Sequence, residues 1–126
     1  MGKKDVKISV EESVKRMMQM GELDPKYTAL KKVHEMLLAE NIPHTYEMFH
    51  NGWAIRFTDG VIDGVDGVQH SGSYGEDQNL IEIMGALTKE EGESDSVLGY
   101  LTAEEVFKRF KYCYNHKTTV YKERGK

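Results

Sequence analysis

The spacing of apolar residues changes from a helical to a strand period near residue 43, and this change restricts the possible folds. Between residues 27 and 38 the apolar side chains recur at helical spacing, and Pro43 prevents that helix from continuing. Residues 44–49 and 52–58 are predicted strands joined at His50-Asn51-Gly52, because Asn and Gly tolerate the positive φ of a tight hairpin. We predict an α+β fold: a small, mainly antiparallel sheet of about four strands, packed against two to three helices, with an N-terminal helix.

Local signals place the remaining helices. Ser9 with Glu12, and Thr102 with Glu105, are capping boxes that predict a helix over residues 10–20 and a last helix after residue 102. Asp24-Pro25 predicts the start of the helix between them. The predicted buried faces comprise Tyr27, Leu30, Val33, His34, Leu37 and Leu38 of the second helix and Val106, Phe107, Phe110 and Tyr114 of the last.

The other segments are predicted from weaker patterns. Residues 65–70 and 80–84 are predicted strands, whereas the acidic stretch 88–96 is predicted to be an exposed loop. Residues 118–121 fit a short strand or a frayed end, and both alternatives stay open. Trp53, Phe57 and the other aromatic residues at helical or strand spacing are predicted to be core.

Length and cysteine content indicate one domain in a reducing environment. The 126 residues are divided into an N-terminal helical extension, 1–24, and a single α+β domain, 25–126. Cys113 is the only cysteine, so no internal disulfide is possible and an intracellular protein is expected. No apolar run approaches the roughly 20 residues needed to cross a bilayer, and the first residues lack a signal-peptide core. A cytosolic location without membrane association is therefore predicted.

Charge is distributed unevenly along the chain. The net charge is −4, but residues 58–105 carry twelve acidic residues and one lysine, whereas residues 106–126 carry seven basic residues and one glutamate. The acidic middle argues against a dedicated surface for duplex nucleic acid. The simplest interpretation is a set of solvated acidic loops followed by a basic helix end.

The glycine-rich stretch 59–75 raises the question of ligand binding. Asp59, Asp63 and Asp66 are spaced by four and then three residues, which does not match a calcium loop, and each precedes a glycine as in an ordinary turn. With five histidines in no ligand spacing and one cysteine, zinc is not expected either. We predict no metal and no cofactor.

The end of this stretch, QHSGSYG, is a candidate binding loop. It offers an imidazole, two hydroxyls and a phenol, with glycines that allow close approach of a ligand to the backbone. It is neither a P-loop nor a nucleophile elbow. His70 and Ser71 are neighbours on a predicted strand and point to opposite faces, so a catalytic pair is not expected. A tight turn and a ligand-contacting loop remain the two alternatives.

The first predicted helix carries three methionines at one edge. Met17, Met18 and Met20 form an adaptable apolar surface of the kind that serves partner contacts, including self-association. Core packing is the alternative. The partner-contact interpretation predicts a homodimer formed through this helix.

Four blocks, KYTALKKVHEMLLAENIPHTYEMFHNGW, VQHSGSYG, LIEIMG and GYLTAEEVFKRF, resemble a family of small proteins of phages and prophages of Gram-positive bacteria. The resemblance spans about residues 26–112 and includes the His-x-Gly-Ser-Tyr-Gly block at positions 70–75. No reaction is attached to these blocks. By analogy with other small phage proteins, the resemblance implies a counter-defence role in the cytosol of the bacterial host.

The leading hypothesis is a non-enzymatic accessory protein that binds a small anionic, nucleotide-like ligand. The residues predicted to bind it are His70, Ser71, Gly72, Ser73, Tyr74 and Gly75, with Lys108, Arg109 and Lys111 of the last helix. The first alternative is a protein–protein inhibitor of a host defence complex that uses the acidic surface. The residues predicted to contact a partner are Met17, Met18, Met20, Glu90, Glu91, Glu93 and Asp95. The second alternative is a small hydrolase or transferase.

Overall fold

The computed structural model describes residues 27–58, 60 and 62–123. Its elements, in chain order, are α1 (Thr28–Ala39), β1 (Thr45–Phe49), β2 (Gly52–Arg56), β3 (Asp66–Gln69), a 3-10 turn (Glu76–Gln78), β4 (Ile81–Met84), α2 (Lys89–Ser94), β5 (Val97–Leu101) and α3 (Ala103–His116). The predicted helix over residues 10–20, the proposed extension 1–24 and the methionine edge lie outside the described residues.

The five strands form one antiparallel sheet in the order β1-β2-β3-β4-β5. The α+β class is confirmed, with one strand more than the four expected. The additional strand is β5, which is half-buried along most of its length and has Gly99 at its centre. Its sequence, VLGYL, does not alternate between apolar and polar residues, and this alternation is the pattern that identifies a strand with one buried face.

The hairpin between β1 and β2 is confirmed, but its turn differs from the one expected. Positive φ angles occur at His50 (48°) and Asn51 (63°), whereas Gly52 is the first residue of β2. A Cβ at Gly52 would collide with the carbonyl oxygen of Gln69 in β3. Glycine is needed here because the neighbouring strand approaches closely, and not because of the turn.

Helices α1 and α3 pack on the same face of the sheet. Leu30 donates its backbone N–H to the side chain of Gln69, and the ring of Phe110 would lie 3.1 Å from a Cβ at Gly67. Because Gly67 and Gln69 are two residues apart on β3, they point to one face. The largest fully buried side chains between helices and sheet include Leu30, Leu37, Ile55, Ile81, Ile83, Val106 and Phe110.

The predicted buried faces are largely confirmed. Leu38 is an exception, with 54% of its surface exposed. It lies about 80° around the helix from Leu30 at 100° per residue, beyond the edge of the buried stripe. Phe107 and Tyr114 pack against the core while remaining partly exposed. Cys113 on α3 is fully buried, and burial raises the pKa of its thiol to about 11.

Side chains from other elements cap the start of α1. Leu30 N–H donates to Oε1 of Gln69 (2.8 Å) and Ala29 N–H donates to Oδ1 of Asn79 (3.2 Å). Gln69 is fully buried, and its amide nitrogen donates to Asn79 and to the carbonyl of Leu80. These bonds satisfy helix N–H groups that have no intrahelical partner. The helix begins at Thr28, and Asp24-Pro25 lies outside the described residues.

Residues 88–96 do not form the loop expected from their acidic composition. The N–H of Glu91 donates to the hydroxyl of Thr88 (3.2 Å), and the N–H of Thr88 donates back to Oε1 of Glu91 (2.8 Å). This capping box begins the six-residue helix α2. The same signal at Thr102 and Glu105 begins α3, as predicted. The loop prediction was wrong because it gave the acidic run more weight than the Thr-x-x-Glu spacing.

After α3 the chain returns to the segment that precedes α2. The N–H of Ala86 donates to the carbonyl of Thr119 and the N–H of Tyr121 to that of Leu87, each at 2.8 Å. A single parallel bridge joins Leu87 to Val120. Residues 118–121 therefore lie beside residues 86–87 through one bridge and do not extend the sheet.

Candidate functional site

One face of the sheet is not covered by α1 or α3; we call it the open face. Residues of β1–β4 that alternate with the buried ones point to it, and the side chains lining its small cavity include Phe49, Arg56, Asp66, Val68, His70, Glu82 and Met84. The loop from His70 to Gly75, the His70–Gly75 loop, folds across the end of β4 on this side.

The hydroxyl of Ser73 is used inside the loop. It donates to the carbonyl of His70 (3.0 Å) and accepts the N–H of the same residue (3.1 Å). The His70 imidazole donates through Nδ1 to the carbonyl of Ser71 (2.9 Å). Ser73 is buried, whereas Ser71 is exposed. These bonds are those of a tight turn, one of the two alternatives left open by the sequence.

Two glycines bring the loop onto β5. Gly75 has φ 94°, and a Cβ there would lie 2.9 Å from that of Leu80. A Cβ at Gly99 would collide with the Cβ of Tyr74. The N–H of Tyr74 donates to Oε1 of Glu82 (2.8 Å), which fixes the residue over β4 and β5. Tyr74 is thus placed by close backbone approach on one side and by a carboxylate on the other.

A β-bulge presents a second tyrosine beside the first. Ile81 pairs with Leu101 and Ile83 with Leu98, so β5 carries one extra residue between these pairs. Within the bulge Tyr100 has φ 60°, an unusual conformation for a bulky side chain, and its N–H donates to the carbonyl of Tyr74 (3.3 Å). Tyr74 and Tyr100 are 54% and 58% exposed, respectively. Such local strain is often associated with function.

The two tyrosines line a cleft of about 660 Å³ between α2, β5 and the His70–Gly75 loop. We call it the tyrosine–acid cleft. Its lining residues are Tyr74, Glu90, Glu91, Ser94, Asp95, Val97, Leu98, Gly99 and Tyr100. The cleft combines two exposed aromatic rings, an apolar strand and three carboxylates, and none of the basic residues that the structure describes lines it.

The three carboxylates of the cleft differ in their partners. Both oxygens of Glu91 bond the guanidinium of Arg109 (2.8 and 3.0 Å), and these bonds hold the pKa of Glu91 below its usual value. One oxygen of Asp95 accepts the N–H of Ser96 (2.7 Å). The carboxylate of Glu90 has no hydrogen bond or ion pair to any residue that the structure describes. Glu90 and Asp95 therefore give the cleft a negative charge that no described lysine or arginine in its lining offsets.

The small cavity of the open face, about 170 Å³, lies on the other side of Glu82. The guanidinium of Arg56 sits 5.0 Å from the ring centre of Phe49. Burial raises the pKa of Asp66, an effect that nearby Arg56 opposes and nearby Glu82 reinforces. The cavity thus contains charges of both signs, unlike the tyrosine–acid cleft.

The structure separates the residues predicted to bind a small anion. His70 lines the small cavity and Tyr74 lines the tyrosine–acid cleft, while Ser71 and Gly72 are exposed. Lys108, Arg109 and Lys111 lie on α3, which packs on the opposite face of the sheet. Arg109 bonds Glu91 and Lys111 bonds Glu40 (3.1 Å). These residues do not form one basic pocket around the loop.

The residues predicted to contact a partner are placed more closely together. Glu90, Glu91 and Asp95 line the tyrosine–acid cleft, and Glu93 is an exposed residue of α2 outside that lining. Tyr100 and Val97 complete the cleft and were missed by sequence reasoning. Tyr100 has no recognisable signal, since its exposure depends on a bulge in a strand that was itself not predicted.

A second group of aromatic residues lies between α1 and the first two strands, β1 and β2. We call it the buried histidine cluster; its members are His34, His44, Tyr46 and Trp53. The ring of Tyr46 stacks on His34 at 4.2 Å and on Trp53 at 4.7 Å. His34, Tyr46 and Trp53 are buried and His44 is half-buried. His44 directly precedes β1 and lies two residues before the inward-pointing Tyr46, a spacing that places both on the inner face.

A hydrogen-bond chain fixes the tautomers of the two histidines. Nδ1 of His44 donates to the carbonyl of Ile42 (2.8 Å), so its Nε2 accepts the proton of His34 Nδ1 (2.7 Å). Nε2 of His34 and the hydroxyl of Tyr46 are buried without a partner among the described residues. Burial, reinforced by His44 and Lys31, lowers the pKa of His34 to about 4. Both imidazoles are therefore neutral at pH 7.

Across residues 27–58, 60 and 62–123, no group of three or more His, Cys, Asp or Glu side chains is arranged to hold a metal ion. Over the same residues, no helix has the length and apolar character needed to traverse a bilayer.

Comparison with known proteins adds no assignment. No family model, no curated protein and no solved structure matches the chain.

Proposed function

We propose that this protein is a non-enzymatic binding module whose tyrosine–acid cleft holds a basic segment of a partner protein. One observation carries the proposal: two exposed tyrosines and the unpaired carboxylate of Glu90 line one cleft, and no basic side chain within residues 27–58, 60 and 62–123 lines it. The partner class implied by the resemblance to phage proteins is a host defence protein.

The aromatic part of the cleft suits a protein partner. Tyrosine is enriched among the residues that dominate binding energy, because it offers a large apolar surface with few rotatable bonds. The backbones of Tyr74 and Tyr100 are fixed by close contacts at Gly99 and Gly75, so little backbone order remains to be gained on binding. The half-buried Val97 and Leu98 supply an apolar wall.

The charge of the cleft favours a cation over an anion. Glu90 and Asp95 are exposed and acidic, and their field attracts basic groups and repels phosphate. The hydroxyl of Ser73, which an anion site would use, is already bonded within its own turn. The acidic-surface hypothesis therefore fits the geometry better than the small-anion hypothesis.

A labelled peptide tests the proposal. We expect the full chain to bind a fluorescein-labelled peptide of sequence GSKRSGKRSG, and not a counterpart with glutamate at each basic position, as measured by fluorescence anisotropy. Replacing Glu90→Gln and Asp95→Asn together should weaken binding about tenfold. Affinity should also fall as salt rises, because exposed charges are screened.

The matched control is Asp63→Asn with Asp77→Asn. It removes two negative charges, as many as the first double variant, from exposed positions that do not line the cleft. Its affinity should stay within about twofold of the unchanged protein. Equal losses in the two double variants, or no binding of the basic peptide by the unchanged protein, would refute the proposal.

A further inference from the structure

Arg109 shows how this protein holds a guanidinium group. Its two terminal nitrogens bond both oxygens of Glu91 (2.8 and 3.0 Å), and one also bonds the carbonyl of Ala86 (2.9 Å). The guanidinium carbon lies 4.7 Å from the ring centre of Tyr121. A carboxylate in the plane of the group and an aromatic ring over its face together match the shape of arginine.

Lys111, on the same helix, is a lysine that also contacts a carboxylate and an aromatic ring. Its ammonium bonds one oxygen of Glu40 (3.1 Å) and lies 5.8 Å from the ring centre of Phe107. Its side chain is also more exposed than that of Arg109, at 41% against 12%. Within one helix, the arginine is therefore held by more bonds, closer to its ring and with less solvent around it.

The tyrosine–acid cleft presents the same two kinds of group without an internal cation between them. No aromatic ring or cation among the described residues packs on Tyr74 or Tyr100, and both side chains are more than half exposed, so their rings are accessible to a partner. Glu90 and Asp95 supply carboxylates beside them. Glu91, on the same helix, already fills the corresponding role for Arg109.

We infer that the basic group taken by the tyrosine–acid cleft is the guanidinium of an arginine, stacked on an exposed tyrosine and bonded to Glu90 or Asp95. This inference rests on the proposed function and narrows it to one side chain. A planar guanidinium can stack on a ring and donate two parallel bonds to a carboxylate at once. A lysine ammonium can lie over a ring, but it has no planar face to stack and no fork that donates two parallel bonds to a carboxylate.

Three peptides of equal length separate the possibilities. Binding to the full chain would be measured by isothermal titration calorimetry. The peptides are GSRSRSG, GSKSKSG and GSRSRSG with citrulline in place of both arginines, each acetylated and amidated. The arginine peptide should bind about fivefold more tightly than the lysine peptide. The citrulline peptide, which keeps the planar shape but lacks the charge, should bind at least about tenfold more weakly than the arginine peptide.

Changing the tyrosines should remove the preference without removing binding. With Tyr74→Leu and Tyr100→Asn together, the arginine and lysine peptides should bind within about twofold of each other. Asparagine is chosen at position 100 because it tolerates the positive φ found there. Circular dichroism of the variant provides the check that its fold is kept.

The outcomes distinguish the inference from the function on which it rests. Equal affinity of the unchanged protein for the arginine and lysine peptides would overturn the inference and leave the basic-partner proposal standing. A preference that persists without the two tyrosines would also overturn it. Failure of both basic peptides to bind, or equal binding of the citrulline peptide, would count against the inference and the proposed function together.

Discussion

The buried histidine cluster and the tyrosine–acid cleft are built from similar side chains near opposite edges of one sheet, yet they are arranged in opposite ways. In the cluster, Tyr46 is stacked between His34 and Trp53, and all three are buried. In the cleft, Tyr74 and Tyr100 are more than half exposed and stack on no ring of the described part of the chain.

The two regions differ in the backbone conformation that positions each tyrosine. Tyr46 points inward through the ordinary alternation of β1, beneath a helix that covers it. Tyr100 reaches the surface through a bulge and a positive φ, and Tyr74 through a loop that needs Gly75. An aromatic residue placed by regular structure contributes to the core, whereas one placed by an irregularity at some conformational cost remains available to a partner.

The largest effect is expected from removing the largest ring of the buried histidine cluster. Trp53→Ala should lower the free energy of unfolding by about 4 kcal/mol, since it leaves a cavity beside Tyr46 and breaks a ring stack. Urea unfolding followed by circular dichroism measures this. Tyr74→Ala should cost less than about 1 kcal/mol; a similar loss at both positions would contradict the contrast between the two regions.

A methyl group added at Gly99 should damage the cleft directly. Because the new Cβ would collide with that of Tyr74, Gly99→Ala should lower the free energy of unfolding by up to about 3 kcal/mol and weaken binding of the basic peptide.

Gly92→Ala is the matched control for Gly99→Ala. It lies on α2, and a Cβ there meets nothing within 4 Å, so alanine should stabilise the helix slightly. Retained peptide affinity in Gly99→Ala would show that the position of Tyr74 does not depend on this contact.

Acid should destabilise the protein through the buried histidine cluster. The pKa of His34 is about 4 in the folded chain against 6.5 for an unperturbed histidine, so the unfolded state binds more protons between these values. The contribution of neutral His34 to stability is complete above about pH 6.5 and is lost as the pH falls toward 4. We expect this loss to lower the free energy of unfolding by about 2 kcal/mol. Urea unfolding at several pH values measures the slope.

His34→Phe isolates this contribution. It keeps a ring against Tyr46 and removes the titrating group, so stability should change less between pH 7 and pH 4 than in the unchanged protein. The carboxylates titrate alike in both proteins and cancel from the comparison, whereas His44, whose pKa burial also lowers, titrates in both and loses its bond to His34 in the variant. Identical pH profiles would exclude His34 as the source.

The smallest effect concerns the strained residue of the bulge. Tyr100→Gly relieves the positive φ of a bulky side chain but adds freedom to the unfolded chain, so stability should rise by only about 0.5 kcal/mol. Peptide binding should weaken at the same time, because the ring is lost. A variant that is less stable and still binds normally would argue that Tyr100 serves the fold and not the cleft.

Local signals accounted for most of the fold. The Asn51-Gly52 pair located the first hairpin, and the spacing of Thr102 and Glu105 located α3, because turns and caps depend on residues a few positions apart. Strand β5 escaped prediction because Gly99 and the bulge at Tyr100 interrupt its alternation.

The candidate site could be predicted only in pieces. The loop residue Tyr74 and the acidic run around Glu90 were both singled out, but as parts of two different hypotheses. Their meeting depends on a backbone approach between Gly99 and the His70–Gly75 loop, across more than twenty residues of sequence. The capping of α1 by Gln69 is similarly long-range. Contacts of this kind leave no periodic trace in a single sequence.

Because Cys113 is fully buried, the reactivity of its thiol shows when the folded protein opens. With a thiol pKa of about 11, only about one molecule in ten thousand carries the reactive thiolate at pH 7, and the sulfur has no exposed surface. A maleimide should therefore label the protein only when α3 separates from the sheet. As the sequence has no other cysteine, the rate of labelling would follow this single event without any engineered probe.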